Sequence, residues 1–465
     1  MATEGKAIDQ PQQEELQARQ AAPQLSTEEL LESGLDSLKK FGGFQIVKGL
    51  IKGAANLDPK EAVVKKLFLK DADYEEERNS VKKSLDIWID LLENGKEAGA
   101  EKLMEVSEQK AKKAEKNLSK NLKKVLEEIR QLEMAYRGVD AFFANAGQGK
   151  VDCLTIMNVE KEALSDYDSL STKKVRDELE KYYDRLNLKR NYSLMVAPGY
   201  LGDSDTVRTW AKTAYRNKVL LITDFKDSLK YDMLKQELDK ANLQDQDVEL
   251  ANVVMTCNYL LGRKKSKTAK EDDDFYIPAS SALAGRMTNT DEVVISQGIA
   301  GKKYGTLENV KGVRMDMRKS EIASIIDEGV VPVVEEDGRV MAFSNRSLYN
   351  GATIGLQEYP IVRVFDWMAK VFQNFFNDEA FRVFDGKVRD ELSQALHGFL
   401  SDYKGPGGLI ESYSLKGIEQ NPVTKDINIK VELKPFFAAK NFLIELTGHN
   451  GTAGVDWNQN VQNKE

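Results

Sequence analysis

The sequence predicts a chain of mixed α/β and α+β class. It has a helical N-terminal region, a central α/β domain with a mainly parallel sheet, and a C-terminal helix-plus-sheet domain. Three observations carry this. Apolar residues recur at helical spacing before residue 140. Apolar, β-leaning runs then alternate with helical patterns from 151 to 262. A strictly alternating run follows in the C-terminal part at 426–433.

Residues 1–25 are rich in Gln, Ala and Glu without an apolar period, which predicts a disordered arm. Residues 26–57 begin with Ser26-Thr27-Glu28-Glu29, a helix-start pattern, but contain FGGFQIVKGLIKGAAN. The glycines there suit a bendable linker.

From 58 to 147 the pattern is helical. Val81, Leu85, Trp88 and Leu92 repeat at spacings of four, three and four, and so do Leu118, Leu122, Val125, Ile129, Leu132 and Tyr136. Each set makes one apolar stripe, which serves either the chain's own core or a partner helix. The glycines of NGKEAGAEK predict a break between the two helices.

The central domain is expected over 148–345. VDCLTIMNV, YSLMVAPG, KVLLITDF and NVVMTCNYL read as buried strands of a parallel sheet. Between them, STKKVRDELEKYYDRL places Val175, Leu179, Tyr182 and Leu186 on one helical face. SDTVRTWAKTAYR offers Ser204 or Asp205 as a cap, and DSLKYDMLKQELDK is a third helix. The loop GRKKSKTAKEDDD carries nearly balanced charge and reads as a solvated tip. Residues 275–345 read as loops and short strands, with Glu336-Asp337-Gly338 as a hairpin turn.

The C-terminal domain is expected over 346–447. Ile361, Val364, Phe365, Met368, Phe372 and Phe375 share one helical face. A second helix carries Phe384, Val388, Leu392, Leu396 and Phe399 before KGPGG stops it. Ile427, Ile429, Val431 and Leu433 alternate with Asp426, Asn428, Lys430 and Glu432, and NFLIELT is a further strand. Residues 448–465 read as a flexible tail.

Composition narrows the function classes. The net charge of −8 argues against a general nucleic-acid binder. The beginning of the sequence shows no apolar signal region and no run reaches 18 apolar residues, so the expectation is a cytoplasmic protein without membrane insertion. Cys153 and Cys257 each sit in an apolar run and are expected to be buried thiols. His397 and His449 are the only histidines. No HExxH, CxxC, GxSxG or Walker A pattern is present, so neither catalysis, a cofactor nor a metal is expected. APGYLGDSD lies between a strand and a helix and could hold an anion, but it lacks the Rossmann glycines and a P-loop Lys.

The order of segments carries a resemblance. YSLMVAPGYLGDSDTVRTWAKTAYRNKVLLITDF, FYIPASSALAGRMTNTD, GVVPVVEEDGRVMAFSNRSL and the block from 360 to 447 resemble, in sequence, the sheath proteins of contractile tails. NLSKNLKKVLEEIRQLEMAYRGVDAFF resembles the helix of large type VI secretion sheath subunits that ends in a Trp-Arg-Gly-Leu-like signature. Tyr136, Arg137, Gly138 and Val139 stand in those places, with Tyr for the usual Trp. The match is closest to the Bacteroidetes branch.

The resemblance implies a structural subunit that pairs with a small sheath subunit. Further copies would join in a helical tube around an inner tube protein, on a membrane-anchored baseplate. A sheath-recycling AAA+ unfoldase would act through the small subunit. It also implies contraction that propels tube and effectors. Leu85, Trp88, Leu118, Leu122, Val125 and Ile129 are then candidates for the small-subunit interface. Ile427, Ile429, Val431, Leu433, Phe442 and Ile444 are candidates for an intersubunit sheet. Lys387 and Arg389 are candidates for the inner-tube contact. The alternatives are a phage-tail or extracellular-device sheath, or a nucleotide- or small-ligand-binding α/β protein using the 197–205 turn.

Overall fold

A computed structural model describes residues 69–94, 99–147, 151–290, 293–438, 443–448 and 457–462. The chain divides into two compact units, 1–120 and 121–465.

In the first unit, Asp71 caps a short 3₁₀ turn by accepting the Asp73 amide at 3.2 Å. Helix α1 (Glu75–Asn94) follows, with three glutamates in its first turn, where they favour the positive end of the helix dipole. Helix α2 (Gly99–Glu128) begins in this unit. Its Ala-, Lys- and Glu-rich sequence has high intrinsic helix propensity.

The second unit receives the end of α2 and continues into α3 (Arg130–Asn145). Two short helices follow, α4 (Lys161–Ser165) and α5 (Leu170–Tyr183). Then strands and helices alternate: β1 (Leu194–Ala197), α6 (Ser204–Arg216), β2 (Leu220–Asp224), α7 (Tyr231–Ala241) and β3 (Val253–Cys257). A small hairpin, β4 (Leu260–Arg263) with β5 (Phe275–Ile277), precedes α8 (Ser280–Thr288), α9 (Gly301–Tyr304) and α10 (Lys319–Asp327). Strands β6 (Val330–Glu336) and β7 (Arg339–Ala342) complete the sheet in the order β1-β2-β3-β6-β7. The first three pairings are parallel and the last is antiparallel.

The sheet is covered on both faces, which is why its strands read as continuous apolar runs. Alternate residues serve opposite layers. Leu221, Val253, Met255 and Cys257 pack with Trp210, Phe225, Leu234 and Leu238. Leu220, Ile222, Val254 and Val331 pack with Phe142, Leu283, Met287 and Tyr359. Each such side chain contributes about 1.5–3 kcal/mol on burial. The hairpin turn stands as expected. Asp337 and Gly338 both take positive φ, 52° and 70°, the two-residue turn that matches the twist of its strands.

The C-terminal part has two helices, α11 (Tyr359–Asp378) and α12 (Gly386–Asp402), and the antiparallel pair β8 (Ile410–Gln420) and β9 (Ile427–Pro435). Pro360 sits in the first turn of α11, where its missing amide costs nothing. Gly405 and Gly407 stop the second helix with φ of 92° and 81°. One face of the hairpin packs on Phe372, Leu392, Leu396 and Leu400. A further antiparallel pair is β10 (Leu443–Gly448) with β11 (Trp457–Gln462).

Several expectations are corrected. VDCLTIMNV forms neither strand nor helix and pairs with no strand among the described residues, and Cys153 is exposed; only Cys257 is buried. A β-leaning run becomes a strand only where a neighbour meets its backbone groups. FYIPASSALAGRMTNTD contains the helix α8, and α10 is likewise a helix where loops and short strands are expected. Nearly all of α8 is buried, so it has no polar face and hence no helical period to detect. The cap of α6 is Asp203, not Ser204 or Asp205. Leu186 lies beyond α5 and is 81% exposed. Trp457–Gln462, expected within a tail, pairs with Leu443–Gly448. The arm and linker expected over 1–57 lie outside the described residues.

Candidate assembly interface

Helix α3 has two unlike faces. Gly138, Ala141, Phe142 and Asn145 are buried, and the small residues among them let α8 approach closely. A Cβ on Gly285 of α8 would lie 2.1 Å from the Phe142 carbonyl oxygen. Asn145 donates to the Glu308 carbonyl at 3.2 Å and accepts the Glu308 amide at 2.7 Å.

The opposite face is apolar and uncovered. Val125, Ile129, Leu132, Tyr136, Val139 and Phe143 are all exposed, Leu132 at 68% and Tyr136 at 72%. With half-buried Leu122 they follow spacings of three and four without a break, the a/d repeat of a coiled-coil seam. The seam runs through the junction of α2 and α3. Ile129 there accepts from Glu133 and donates to Val125, so the helical ladder continues. One turn earlier on α2, Leu118 is also exposed. Single exposed apolar residues are ordinary on surfaces, but a contiguous heptad row marks an interaction surface. Leu85 and Trp88 lie on α1, and their side chains fall outside the described residues.

Arg137 and Glu133 explain how the helix is held while its seam stays free. Glu133 takes Arg137 at 2.8 Å and Arg263 at 2.8 Å. Burial works to raise its carboxyl pKa, but the hydrogen bonds from Arg263 and Arg137 outweigh that and hold it below the usual range. Arg263 also pairs with Glu271 at 2.6 Å, and Arg137 donates to the Gly262 carbonyl at 3.0 Å. Within the Tyr136–Val139 signature, Arg137 and Gly138 thus anchor, while Tyr136 and Val139 point outward. The loop after β4 neutralises itself through Arg263–Glu271 and Lys264–Asp274, and through Lys123–Asp272 with α2.

The turn after β1 is closed by the chain's own carboxylates. Gly199 donates to Asp224 Oδ2 at 2.9 Å, and Asp203 accepts the Thr206 amide at 2.8 Å. Two amides of this turn, those of Gly199 and Thr206, are thus already bonded to carboxylates rather than open to an anion.

At the C-terminal end, Ile429, Val431 and Leu433 are half-buried toward the helices, while Ile427 is 40% exposed. Strand β9 pairs with β8 on one side, and its other edge has no strand among the described residues. Ile444 lies in β10, opposite Val461; Phe442 is outside the described residues. Lys387 and Arg389 are exposed on α12 beside Glu391 and Asp390, at 3.9 and 3.5 Å. His397, on the same helix, lies 3.3 Å from the Tyr413 hydroxyl.

Comparison with known proteins gives three family matches in chain order. Residues 31–122 match the TssC/VipB-like N-terminal region. Residues 124–350 match the type VI secretion system TssC/VipB central domain, and 358–463 match the TssC/VipB-like C-terminal domain. No curated protein matches. Among solved structures, the contracted helical sheath of the anti-feeding prophage is 13% identical with a TM-score of 0.49, covering 68% of this chain and 82% of that one. The contracted sheath complex of an extracellular contractile injection system is 14% identical with a TM-score of 0.45, covering 68% and 80%. A sheath tail protein from Desulfitobacterium hafniense is 11% identical with a TM-score of 0.36, covering 63% and 60%.

Proposed function

The chain belongs to the TssC/VipB family of type VI secretion systems, whose models match it across all three regions, and is a contractile-sheath subunit; from that premise we propose how it assembles. It acts as the large subunit and pairs with a small sheath subunit through the seam that includes Leu118, Leu122, Val125 and Ile129, with Leu85 and Trp88 on the preceding helix. The uncovered heptad row of α2 and α3 is the observation that carries this reading. A partner helix with the same repeat would bury it by knobs-into-holes packing.

Polymerisation then proceeds through the C-terminal strands. Ile427, Ile429, Val431 and Leu433 on β9, with Phe442 and with Ile444 of the separate pair β10–β11 rather than of one common sheet, are the positions that accept strands from neighbouring copies, joined by main-chain hydrogen bonds. The open edge of β9 supports this. The linker 26–57 carries one connecting arm. Lys387 and Arg389 face the inner tube. The assembled tube sits in the cytoplasm on a membrane-anchored baseplate and contracts without catalysis in this subunit. Each copy releases a few kcal/mol as new interfaces form. A recycling unfoldase acts through the small subunit. Divergence at Tyr136 supports placement near the Bacteroidetes branch.

Co-expression with the small subunit tests the reading. The two chains co-purify and form tubes visible by electron microscopy. Deleting residues 1–56 leaves heterodimers that form no tubes. Normal tubes from the truncated chain would remove the arm from the mechanism.

A further inference from the structure

Two stretches of the second unit lie beside one cavity and have open backbone groups among the described residues. The first is β1, the outermost strand of the five-stranded sheet. Leu220 donates to the Ser193 carbonyl at 3.0 Å, so in a parallel ladder Ser193, Met195 and Ala197 turn their backbone groups to β2. Leu194 and Val196 therefore turn theirs to the open edge. Among the described residues no backbone group bonds to them there. The second stretch is Val151–Val159, whose composition predicts a strand but which makes no backbone–backbone hydrogen bond.

A cavity of about 980 Å³ is lined by both stretches. Phe142, Val175, Leu179 and Trp210 give it apolar walls. Thr155 and the Tyr192 hydroxyl meet at 2.5 Å, and that hydroxyl also donates to Glu178 at 3.1 Å, which ties the outer stretch in place. Leu154 and Met157 line the cavity and remain 43% and 40% exposed.

We infer that the gap between Leu194–Ala197 and Val151–Val159 is a slot for one β-strand of the small sheath subunit, added to the edge of the central sheet. An exposed edge is a template for pairing, and pairing would bond backbone groups that have no backbone partner among the described residues. The slot explains why VDCLTIMNV has strand composition without a strand partner in its own chain. The inference rests on the pairing proposed above.

Continuity favours the small subunit over another copy as the occupant. Phe143, the last exposed residue of the seam, packs edge-on against Phe142 of the cavity wall at 5.3 Å. A molecule lying along the seam ends beside the slot. Charge sets the strand's chemistry. Arg185, Lys189 and Arg190 line the cavity without an acidic partner among the described residues, whereas the acidic lining is Asp152 and Glu178, the latter already bonded to Tyr192. The incoming segment has apolar residues in alternation and an acidic residue at that cationic end.

The purified heterodimer provides the test. Hydrogen exchange at Leu194 and Val196 and at Thr155–Met157 is slowed at least 100-fold relative to free peptide. A photo-crosslinking residue at Met157 captures the small subunit. Val196→Pro removes an amide that β2 does not use, so the fold persists while affinity for the small subunit falls at least tenfold. If the complex forms but these amides exchange freely, or the crosslink captures another copy of this chain or nothing, the slot is wrong while the seam stands. If no complex forms, both readings fall.

Discussion

Asp224 receives both the amide and the hydroxyl of Ser280, at 2.9 and 2.5 Å, and so fixes the start of α8 to the end of β2. The same carboxylate takes the Ala279 amide, the Thr256 hydroxyl and the Gly199 amide, so five donors converge on it. Burial pushes its pKa up, against the hydrogen bonds that support the charge. It joins the turn after β1, strand β3 and α8, and through α8 it sets the bed on which the seam helix α3 rests.

Asp224→Asn turns one acceptor into a donor facing donors. The expected loss is about 2–4 kcal/mol, because buried donors are left unbonded. Urea denaturation of the heterodimer measures it. Asp224→Ala, which abandons all five donors, loses more. A variant as stable as the parent would show that the network is not needed to hold α8.

Leu122→Asp and Ile129→Asp place a charge on the seam. Neither side chain is fully buried in the chain, so folding persists, but burying an unpaired carboxylate against a partner helix is costly. Affinity for the small subunit falls by about 2–4 kcal/mol, and co-purification is lost. Variants that fold and still pair normally would remove the seam from the interface.

Gly285 and Gly138 separate close packing from ordinary contact. A Cβ at Gly285 would meet the Phe142 carbonyl oxygen at 2.1 Å, whereas one at Gly138 would meet Ser281 Oγ at 3.4 Å. Gly285→Ala forces α3 and α8 apart and costs about 1–3 kcal/mol. Gly138→Ala is neutral or slightly stabilising, since alanine favours a helix by about 1 kcal/mol. Thermal denaturation of both variants checks the contrast, and equal effects would refute it.

Lys370 gives stability a pH dependence. It is half-buried on α11, donates to the Tyr192 carbonyl at 2.8 Å, and lies near Asp366 and Lys218. Burial lowers its pKa to about 8, Asp366 works in the opposite direction, and Lys218 adds to the lowering. The ordinary lysine value is 10.5. Between these values the unfolded chain holds the proton and the folded chain does not, so stability rises with pH through that window. Below it the penalty is fully present. The wild type therefore gains on Lys370→Met by an amount on the order of 2–3 kcal/mol between pH 7.5 and 10. Denaturation curves of the two proteins that stay parallel across this range would contradict it.

Much of the fold is legible in the linear sequence. Strands such as Leu220–Asp224 and Val253–Cys257 announce themselves because burial on both faces demands continuous apolar residues. The Asp337-Gly338 turn follows from backbone sterics alone. The heptad spacing from Leu118 onward, and the order of segments that carries the family, are likewise properties of the linear chain. Tertiary structure decided what those patterns face. It placed Met134 and Phe142 inward and Leu132 and Tyr136 outward on one helix, a choice periodicity leaves open when apolar residues serve both sides. It made Ser280–Thr288 a helix although it lacks an amphipathic period, since Asp224 caps it from 56 residues away. It also left Val151–Val159 without a strand partner among the described residues. A strand is completed by hydrogen bonds to another segment, and local composition cannot say whether that segment belongs to the same molecule.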